Sequence, residues 1–325
     1  MKSNLFRRDL RNVAGRLVFG ALGAILFLGV PGLASAQQTS FAGWLLNVNC
    51  NALIRESLKD PPKRINLKPG QRRPLLVGES VQCKSGNSLT IQVVDGSQTV
   101  HPDKWVDIKP SASPLNSKSK SNTLTSAFAP AYTRGASPRK TIFYSPPPDG
   151  TVDPLHLILL WEPHKWSGNV TISVKPENSD ELLCCEGSFP GSSGSLDSVD
   201  LRAAITKYRD RGAREPLELS MRVASGQEYK ASFVVLTLPD ERKLQKELDE
   251  WEGKDELVRD LGRASVFSSF DLFTEAAAEY EAALKKAPGS ALLLEPALAA
   301  ELRTGNLPRA SELEGELKQI SAKVQ

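Results

Sequence analysis

The sequence predicts a multidomain α+β protein, with two small β domains followed by an α-helical region. Short apolar segments that alternate with polar residues, separated by Gly, Pro and Asn turns, fill residues 41–110 and again residues 141–238. From residue 239 to residue 325 Pro and Gly become rarer, charged residues become more frequent, and apolar residues recur at helical spacing. The second β domain is expected to be sandwich-like, because short strands with regular turns usually pack in two layers.

The first 36 residues have the composition of a secretory signal peptide. A basic opening precedes the apolar run Leu17–Val30, and the small residues Ala34-Ser-Ala36 follow it. This run is short for a membrane helix, which needs roughly 20 residues. We therefore expect cleavage after Ala36 and export to the periplasm or the extracellular side of a bacterial cell envelope. An uncleaved membrane anchor is the alternative.

The net charge of the chain argues against a nucleic-acid partner. The first 36 residues hold five of the 41 basic residues and one of the 38 acidic residues, which leaves 36 basic and 37 acidic residues after cleavage. The slight basicity of the whole chain thus belongs to the predicted signal peptide. A protein that binds nucleic acid through its phosphates would be expected to keep a basic excess.

The first β domain contains three strand-like segments, Trp44–Val48, Leu75–Cys83 and Ser88–Val94. Trp44 and Trp105 are expected in its core, because aromatic side chains supply much of the apolar area of small domains. The segment Leu76–Gly96 resembles the FecR-type β domain of bacterial envelope proteins, in which Gly and an acid, a strand, a turn, a second strand and Asp-Gly follow one another. This resemblance implies an extracytoplasmic β module.

The four cysteines all follow the predicted cleavage site. An even number of cysteines in an exported chain favours disulfides. Cys50 and Cys83 are the expected pair, because both fall in the first β domain. Cys184 and Cys185 are adjacent, and a bond between neighbours is geometrically strained. We expect these two to stay reduced, or one of them to pair with another chain.

Residues 111–140 are predicted to be a flexible linker between the two β domains. The segment is rich in Ser, Lys, Asn and Pro and contains little that could form a packed core. A solvated spacer explains this composition better than a binding motif.

The second β domain is predicted from strand-like runs such as Leu155–Trp161 and Asn169–Val174. The residues Gly187–Gly194 are expected to form a loop, and Val199–Arg211 a helix. The run Leu157–Pro163, which reads Leu-Ile-Leu-Leu-Trp-Glu-Pro, resembles an early core strand of fibronectin-III-like domains. This resemblance implies an immunoglobulin-like sandwich.

The helical region contains a spacing of 34 residues, which is typical of helical-hairpin repeats. Ala276 and Ala310 are separated by this distance, and small residues at such positions let antiparallel helices approach closely. The segment Glu275–Pro288 resembles the second helix of a tetratricopeptide repeat, with Ala, an aromatic residue, Ala-Leu and Pro in the family's order. The residues expected to pack the repeats are Phe273, Ala276, Tyr280, Ala283, Leu284, Pro288, Gly305, Ala310 and Leu317.

The match to the repeat family is incomplete. The first helix, near Leu257–Phe267, has Asp260 and Ala264 where the family has Trp and Gly, and Glu314 replaces the aromatic residue in the second copy. A plain helical bundle with Ala-rich contacts is therefore the alternative. Only about two repeats are present, and three are usually needed for independent stability. We expect either the segment before Leu257 or docking on the sandwich to supply the missing contacts.

Four residues have side chains of the kind that bind metals, but their pattern does not predict a metal site. His156, His164, Cys184 and Cys185 could in principle supply the nitrogen and sulfur ligands that zinc prefers. The sequence has no C-x-x-C motif, and adjacent cysteines rarely bind one metal together. His156 is expected to be a partly buried structural residue within a strand. We predict no metal and no other cofactor.

Catalytic motifs are also missing from the sequence. Gly191–Ser195 does not satisfy the G-x-S-x-G pattern of hydrolases, and no strand, turn and helix surround it in the required order. Asp149 and Asp153 lie beside Pro and Gly, which favours a role in turns over a carboxylate pair. No phosphate-binding loop or dinucleotide fingerprint is found. We predict that the protein is not an enzyme.

The predicted function is that of a protein-binding or scaffold protein of the cell envelope. A protein or peptide partner is expected to dock on the C-terminal repeats. Membrane contact is expected only through an uncleaved signal peptide, and the sequence does not predict an oligomeric state. The alternative function is a regulatory sensor in envelope signalling, which the FecR-type resemblance implies.

Overall fold

The structure is a computed structural model, and it describes most of the chain after residue 39. The predicted signal peptide (1–36) and almost all of the predicted linker (111–140) lie outside the described residues. The described residues are 40–46, 50–67, 71–86, 88–111, 142–162, 166 and 168–322. They all belong to one compact unit.

The first β domain consists of two four-stranded antiparallel sheets that share a core. One sheet has the order β4-β1-β6-β7 and the other β3-β2-β5-β8. Apolar residues of both sheets, among them Leu45, Ile91 and Val81, pack between them. The strands are β1 (Phe41–Leu46), β2 (Cys50–Arg55), β3 (Lys63–Ile65), β4 (Arg73–Leu76), β5 (Ser80–Gly86), β6 (Leu89–Val93), β7 (Gly96–Val100) and β8 (Trp105–Asp107).

Strand β1 is buried along its whole length. Ala42 and Leu45 face the core between the two sheets. Phe41, Trp44 and Leu46 belong instead to the core that holds the C-terminal helices. Successive side chains of a strand point to opposite faces, and a register shift in the pairing with β4 between Phe41 and Gly43 exchanges the faces at the start of the strand, so β1 supplies two cores at once. The expectation that Trp44 belongs to the core of the first β domain is wrong for this reason.

The middle domain is also built of two sheets, to which a helix is added. The larger sheet has the order β10-β16-β15-β12-β13, and the smaller β14-β11-β9. Apolar residues of both sheets and of helix α1 form one core, in which Trp161 is almost completely buried. The elements are β9 (Phe143–Ser145), β10 (Gly150–Val152), β11 (Leu159–Trp161), β12 (Asn169–Pro176), β13 (Cys184–Pro190), β14 (Ser195–Leu196), α1 (Val199–Asp210), β15 (Leu217–Val223) and β16 (Glu228–Val235).

Two segments of the middle domain differ from the sequence prediction. The strand expected over Leu155–Trp161 begins only at Leu159, because the Asp153 carboxylate accepts a hydrogen bond from the Leu155 N–H and starts a turn. Leu155 and Ile158 are consequently exposed. The loop expected over Gly187–Gly194 is largely ordered, since β13 continues to Pro190 and pairs with β12.

The C-terminal region is helical, and the predicted α+β class is confirmed. Its helices are α2 (Leu238–Asp249), α3 (Glu256–Ser269), α4 (Phe273–Lys286), α5 (Ala291–Thr304) and α6 (Leu307–Ala322). Thr237 and Asp255 cap α2 and α3 by accepting hydrogen bonds from backbone N–H groups of the first turn. Gly305 ends α5 in the left-handed conformation, which suits glycine. We call α2–α6 the helical array.

Candidate functional site: the helical array and its surroundings

The residues predicted to pack the repeats are placed in or beside one core. Ala276 and Ala283 are completely buried and Ala310 is nearly so, while consecutive helices from α3 to α6 lie against each other. The buried members of the predicted set are Ala276, Tyr280, Ala283, Leu284 and Ala310. Phe273 and Leu317 are half-buried, Gly305 forms the turn between α5 and α6, and Pro288 follows α4 at the surface.

The helical array packs directly on the first β domain through Trp44. The Trp44 indole Nε1 donates a hydrogen bond of 2.8 Å to the carbonyl oxygen of Leu292 in α5, across 248 residues of sequence. Its ring also meets Phe41 and Tyr280 edge to face, with centroids 5.2 and 6.3 Å away. Trp44 therefore joins the strand to two helices.

Pro296 explains why the Leu292 carbonyl accepts a bond from outside the helix. In an α-helix that carbonyl would pair with the N–H four residues later, which here would belong to residue 296. Pro296 lies inside α5 and has no N–H. The indole of Trp44 supplies the donor that the helix lacks. This pairing gives the docking a directional contact in addition to apolar burial.

We call the surface between the β4-β1-β6-β7 sheet and helices α3–α5 the apolar junction. Besides Trp44, the sheet contributes buried Leu76 and Val94 to a core shared with the helices. Two hydrogen bonds add to it: Ser265 Oγ donates to the carbonyl of Arg72, and Gln71 Nε2 donates to the carbonyl of Ser269 over 3.2 Å. Leu244, Leu248 and Trp251, which precede Leu257, pack in the same core, so this segment supplies contacts as one of the two expectations had it. The extensive docking on the first β domain was not among those expectations, which named the sandwich instead.

One ionisable group is enclosed in the apolar junction. Burial raises the pKa of Glu295 on α5 to about 7, while the charge of Arg72 and the amide of Gln92 act in the opposite direction. Arg72 and Gln92 are both nearly inaccessible to solvent. Glu295 Oε2 has no hydrogen-bond partner among the described residues. A carboxyl group in such surroundings is more stable when it is protonated.

The array meets the middle domain through polar groups, and we call this contact the polar junction. Thr274 at the start of α4 donates a hydrogen bond of 3.2 Å from Oγ1 to the carbonyl of Tyr144. Arg209 of α1 forms an ion pair with Glu241 of α2, with 2.7 Å between Nη1 and Oε2. Beside these two hydrogen-bonded contacts, Leu236, which follows β16, packs in the core of the array.

Three titratable side chains interact at the polar junction. The His156 ring Nδ1 lies 2.7 Å from Asp153 Oδ2, and this hydrogen bond raises the pKa of His156. Burial raises the pKa of Glu275 to about 7, and the charge of Asp153 raises it further, while the backbone N–H of Glu275 and the charge of His156 lower it. The prediction of a partly buried His156 inside a strand is wrong, because the residue lies on the Asp153 turn with its side chain 72% exposed.

An open groove lies on the middle domain, along the outward face of α1. Its volume is about 660 Å³, and it is bordered by Leu155 and one helical face. The helical residues that line it are Val199, Arg202, Ala203, Thr206, Lys207, Asp210 and Arg211. Val199 and Leu155 are 71% and 50% exposed, which is unusual for side chains of this size. We call this surface the α1 groove.

The cysteines are oxidised in the described part of the chain. A disulfide joins Cys50 of β2 to Cys83 of β5, with Cα atoms 5.8 Å apart, within the usual range for disulfides. Cys184 is disulfide-bonded as well, so the expectation that the adjacent cysteines stay reduced is wrong. The side chain of Cys185 lies outside the described residues.

Catalytic and metal-binding arrangements were sought around the residues named from the sequence. Asp149 occupies a turn with a positive φ of 57°, and Asp153 interacts with His156. Among the residues that the structure describes, no group of three or more His, Cys, Asp or Glu side chains could hold a metal ion. His164 lies outside these residues. No helix in the described ranges is long and apolar enough to span a membrane.

The residues that organise the array were partly missed by sequence reasoning. Trp44 and Pro296 were not connected, although a proline within the Leu- and Ala-rich run Ala291–Thr304 already predicts one carbonyl without a helical partner. The α1 groove was missed because its residues were only expected to form a helix. No protein-family model matches the chain, and no curated protein matches it.

Proposed function

We propose that the protein is a non-enzymatic scaffold of the cell envelope that binds a protein or peptide partner on its helical array. The observation that carries this proposal is the burial of Ala276, Ala283 and Ala310 between closely packed antiparallel helices. Such packing makes a rigid, elongated helical surface, which suits contacts with other proteins. A role as a regulatory sensor stays a prediction, because no contact of the described residues favours it.

The partner surface is assigned to the outer side of the array. Helix α5 is buried almost along its length, since the apolar junction covers it on one side and neighbouring helices on the others. Helix α6 buries only Ala310 and Leu313 and exposes charged side chains on two flanks. Glu312 and Glu316 lie on one flank, and Glu314 and Lys318 lie on the other.

The exposed charges of α6 favour a partner of mixed charge, because acids and bases alternate in ion pairs along the helix. Arg309 of α6 is held by Glu281 of α4 through two hydrogen bonds of 2.7 and 2.9 Å, which fixes the two helices to each other. Glu312 and Glu314 extend from this fixed frame with 65% and 53% of their side chains exposed. Exposed charges on a rigid surface contribute to partner choice and association rate more than to stability.

Removal of the helical array would be a poor test of this function. The array shares its core with Phe41, Trp44, Leu46, Leu76 and Val94 of the first β domain. A chain that ends at Leu238 would expose these side chains to water and would bind other proteins non-specifically. The test therefore needs single positions on the surface of the intact chain.

Site-specific photo-crosslinking provides such a test. A photoreactive amino acid is placed at Ser311 or Lys318 on α6, and at the exposed residue Gln98 on β7 as the matched control. The purified chains are irradiated in an extract of the cells that produce the protein. We expect one discrete adduct from the α6 positions that is absent from the Gln98 variant.

Two results would contradict the proposed function. Equal adducts from α6 and from Gln98 would mean that contact is non-specific. An absence of adducts from α6 at every extract concentration tried, in a variant whose melting temperature equals that of the unmodified chain, would remove α6 as the docking surface.

A further inference from the structure

We infer that the α1 groove is a second docking site, which binds an acidic peptide segment that carries apolar side chains. This site lies on the middle domain and is independent of the partner surface proposed on α6. The inference depends on the shape of the groove, on its exposed apolar residues and on the excess of positive charge along its rim.

The floor of the groove is apolar along one line. Val199 and Ala203 are one helical turn apart on α1, and Leu155 faces them from the Asp153 turn. The opposite face of α1 buries Leu201 and Ile205 in the core of the middle domain, so the helix is amphipathic with a second, smaller apolar patch outside. Exposed apolar side chains grouped in a concave surface are typical of a binding groove.

The rim of the groove is positively charged. Lys207 and Arg211 are exposed, lie one turn apart, and make no ion pair with any described residue. Arg202 is paired with Asp197, and Asp210 shares the guanidinium of Arg209 with Glu241. Because Asp210 is the one acid among the lining residues beside Arg202, Lys207 and Arg211, the rim keeps an excess of positive charge next to the apolar residues.

These features indicate the chemistry of the occupant. Two carboxylates spaced by one helical turn would reach Lys207 and Arg211, and an apolar side chain roughly 12 Å beyond the Lys207 contact would cover Val199. A lipid surface is a poorer fit, because stable attachment to an anionic membrane takes more basic residues than this rim offers.

Fluorescence anisotropy with defined peptides tests the inference on the full chain. The probe is a fluorescein-labelled 14-residue peptide in which pairs of glutamates alternate with pairs of leucines, and the control peptide has glutamine at every glutamate. We expect the acidic peptide to bind with a Kd below about 100 µM and the glutamine peptide at least roughly tenfold more weakly.

Variants of the protein locate the binding. The double change Lys207→Glu with Arg211→Glu should weaken binding of the acidic peptide about tenfold or more, and Val199→Asp about fivefold. The matched control is Arg242→Glu with Lys246→Glu, which reverses two exposed charges one turn apart on α2 and should alter the Kd less than about twofold.

Three outcomes would overturn the inference. Equal binding of both peptides would show that the groove does not distinguish an acidic peptide from a neutral one. Equal loss in the groove and control variants would show that only net charge matters. Binding of the chain to vesicles of phosphatidylglycerol, with no binding of the acidic peptide, would identify the groove as a lipid contact. Crosslinking from α6 is unaffected by the groove variants if the two sites are separate, so each proposal can fail alone.

Discussion

The helical array touches the two β domains in different ways. At the apolar junction it shares a continuous core with the sheet, and an indole donates to a helix carbonyl that lost its own partner. At the polar junction the contacts are a hydroxyl–carbonyl bond, an ion pair and the Asp153, His156 and Glu275 side chains. Both junctions belong to the same compact unit.

This difference shows how one array can be fixed on one side and adjustable on the other. Apolar burial contributes roughly 25 cal/mol per Å² and depends little on pH or salt. Partly exposed ion pairs contribute about 0–1 kcal/mol and respond to both. The apolar junction therefore supplies most of the stability of the array, while Glu295 within it and Glu275 at the polar junction make that stability depend on pH.

Trp44→Ala should destabilise the apolar junction more than the other substitutions proposed here. We expect a loss of about 3–5 kcal/mol in the free energy of unfolding, because a completely buried tryptophan is removed from a core that cannot collapse. Chemical denaturation followed by tryptophan fluorescence and circular dichroism measures it.

Trp105→Ala is the matched control for that change. Trp105 belongs to the same β domain but is half-buried, with the Arg55 guanidinium 4.0 Å above its ring. Its removal should cost only about 1 kcal/mol. Similar losses for the two variants would contradict the special position of Trp44.

A double-mutant cycle can separate the contribution of the Trp44–Leu292 hydrogen bond from that of apolar burial. Trp44→Phe keeps an aromatic ring but leaves the Leu292 carbonyl without a donor, at a cost of about 1–3 kcal/mol. In a Pro296→Ala background the helix regains an N–H for that carbonyl, so the same change should cost about 1 kcal/mol less. Equal costs in both backgrounds would show that the hydrogen bond adds nothing to packing.

Unfolding of the Glu275→Gln variant at a series of pH values tests how the polar junction contributes to stability. The pKa of Glu275 is raised from 4.5 to about 7, so the folded protein binds more protons than the unfolded chain within this range. Stability is therefore fully present below pH 4.5 and is lost as the pH rises through about 7. Glutamine cannot ionise, so we expect the variant to be more stable by about 1–2 kcal/mol at pH 8 and nearly unchanged at pH 4.5.

Two comparisons complete the pH series. Glu314→Gln, at an exposed position on α6, should leave the pH dependence of unfolding as it is. Glu295 at the apolar junction titrates in the same range, so the Glu275→Gln chain should keep part of the slope. A wild-type stability that does not fall between pH 5 and pH 8 would refute the assignment for both acids.

Local sequence patterns predicted most of the helices and strands. They did not predict which distant segments pack against each other. The helices α3–α6 follow from apolar spacing and from Gly305, and the β class follows from alternation in segments such as Ser88–Val94. The strand at Leu155–Trp161 was overpredicted, because a side-chain bond from Asp153 competes with strand formation. Trp44 was assigned to the nearer core, since no local signal tells which of two faces of a buried strand meets a helix formed 248 residues later.

The helical array and the α1 groove also differ in how far the sequence predicts them. The alanines of the array could be found by their spacing, because close helix packing requires small residues at regular positions. The α1 groove could not, because it depends on Leu155 lying opposite α1 and on the excess of positive charge along its rim. Those are properties of the folded surface.

The bond between Trp44 and Leu292 also has a consequence for the timing of folding. A ribosome adds about 5–20 residues per second, so tens of seconds separate the synthesis of the two partners. During that interval one side of β1 has nothing to cover it, and the first β domain can only be completed when α5 arrives. Folding of the first β domain is therefore completed late, when both β1 and α5 have been synthesised. Before that point, a chaperone that binds nascent chains would find exposed apolar side chains at Phe41 and Trp44.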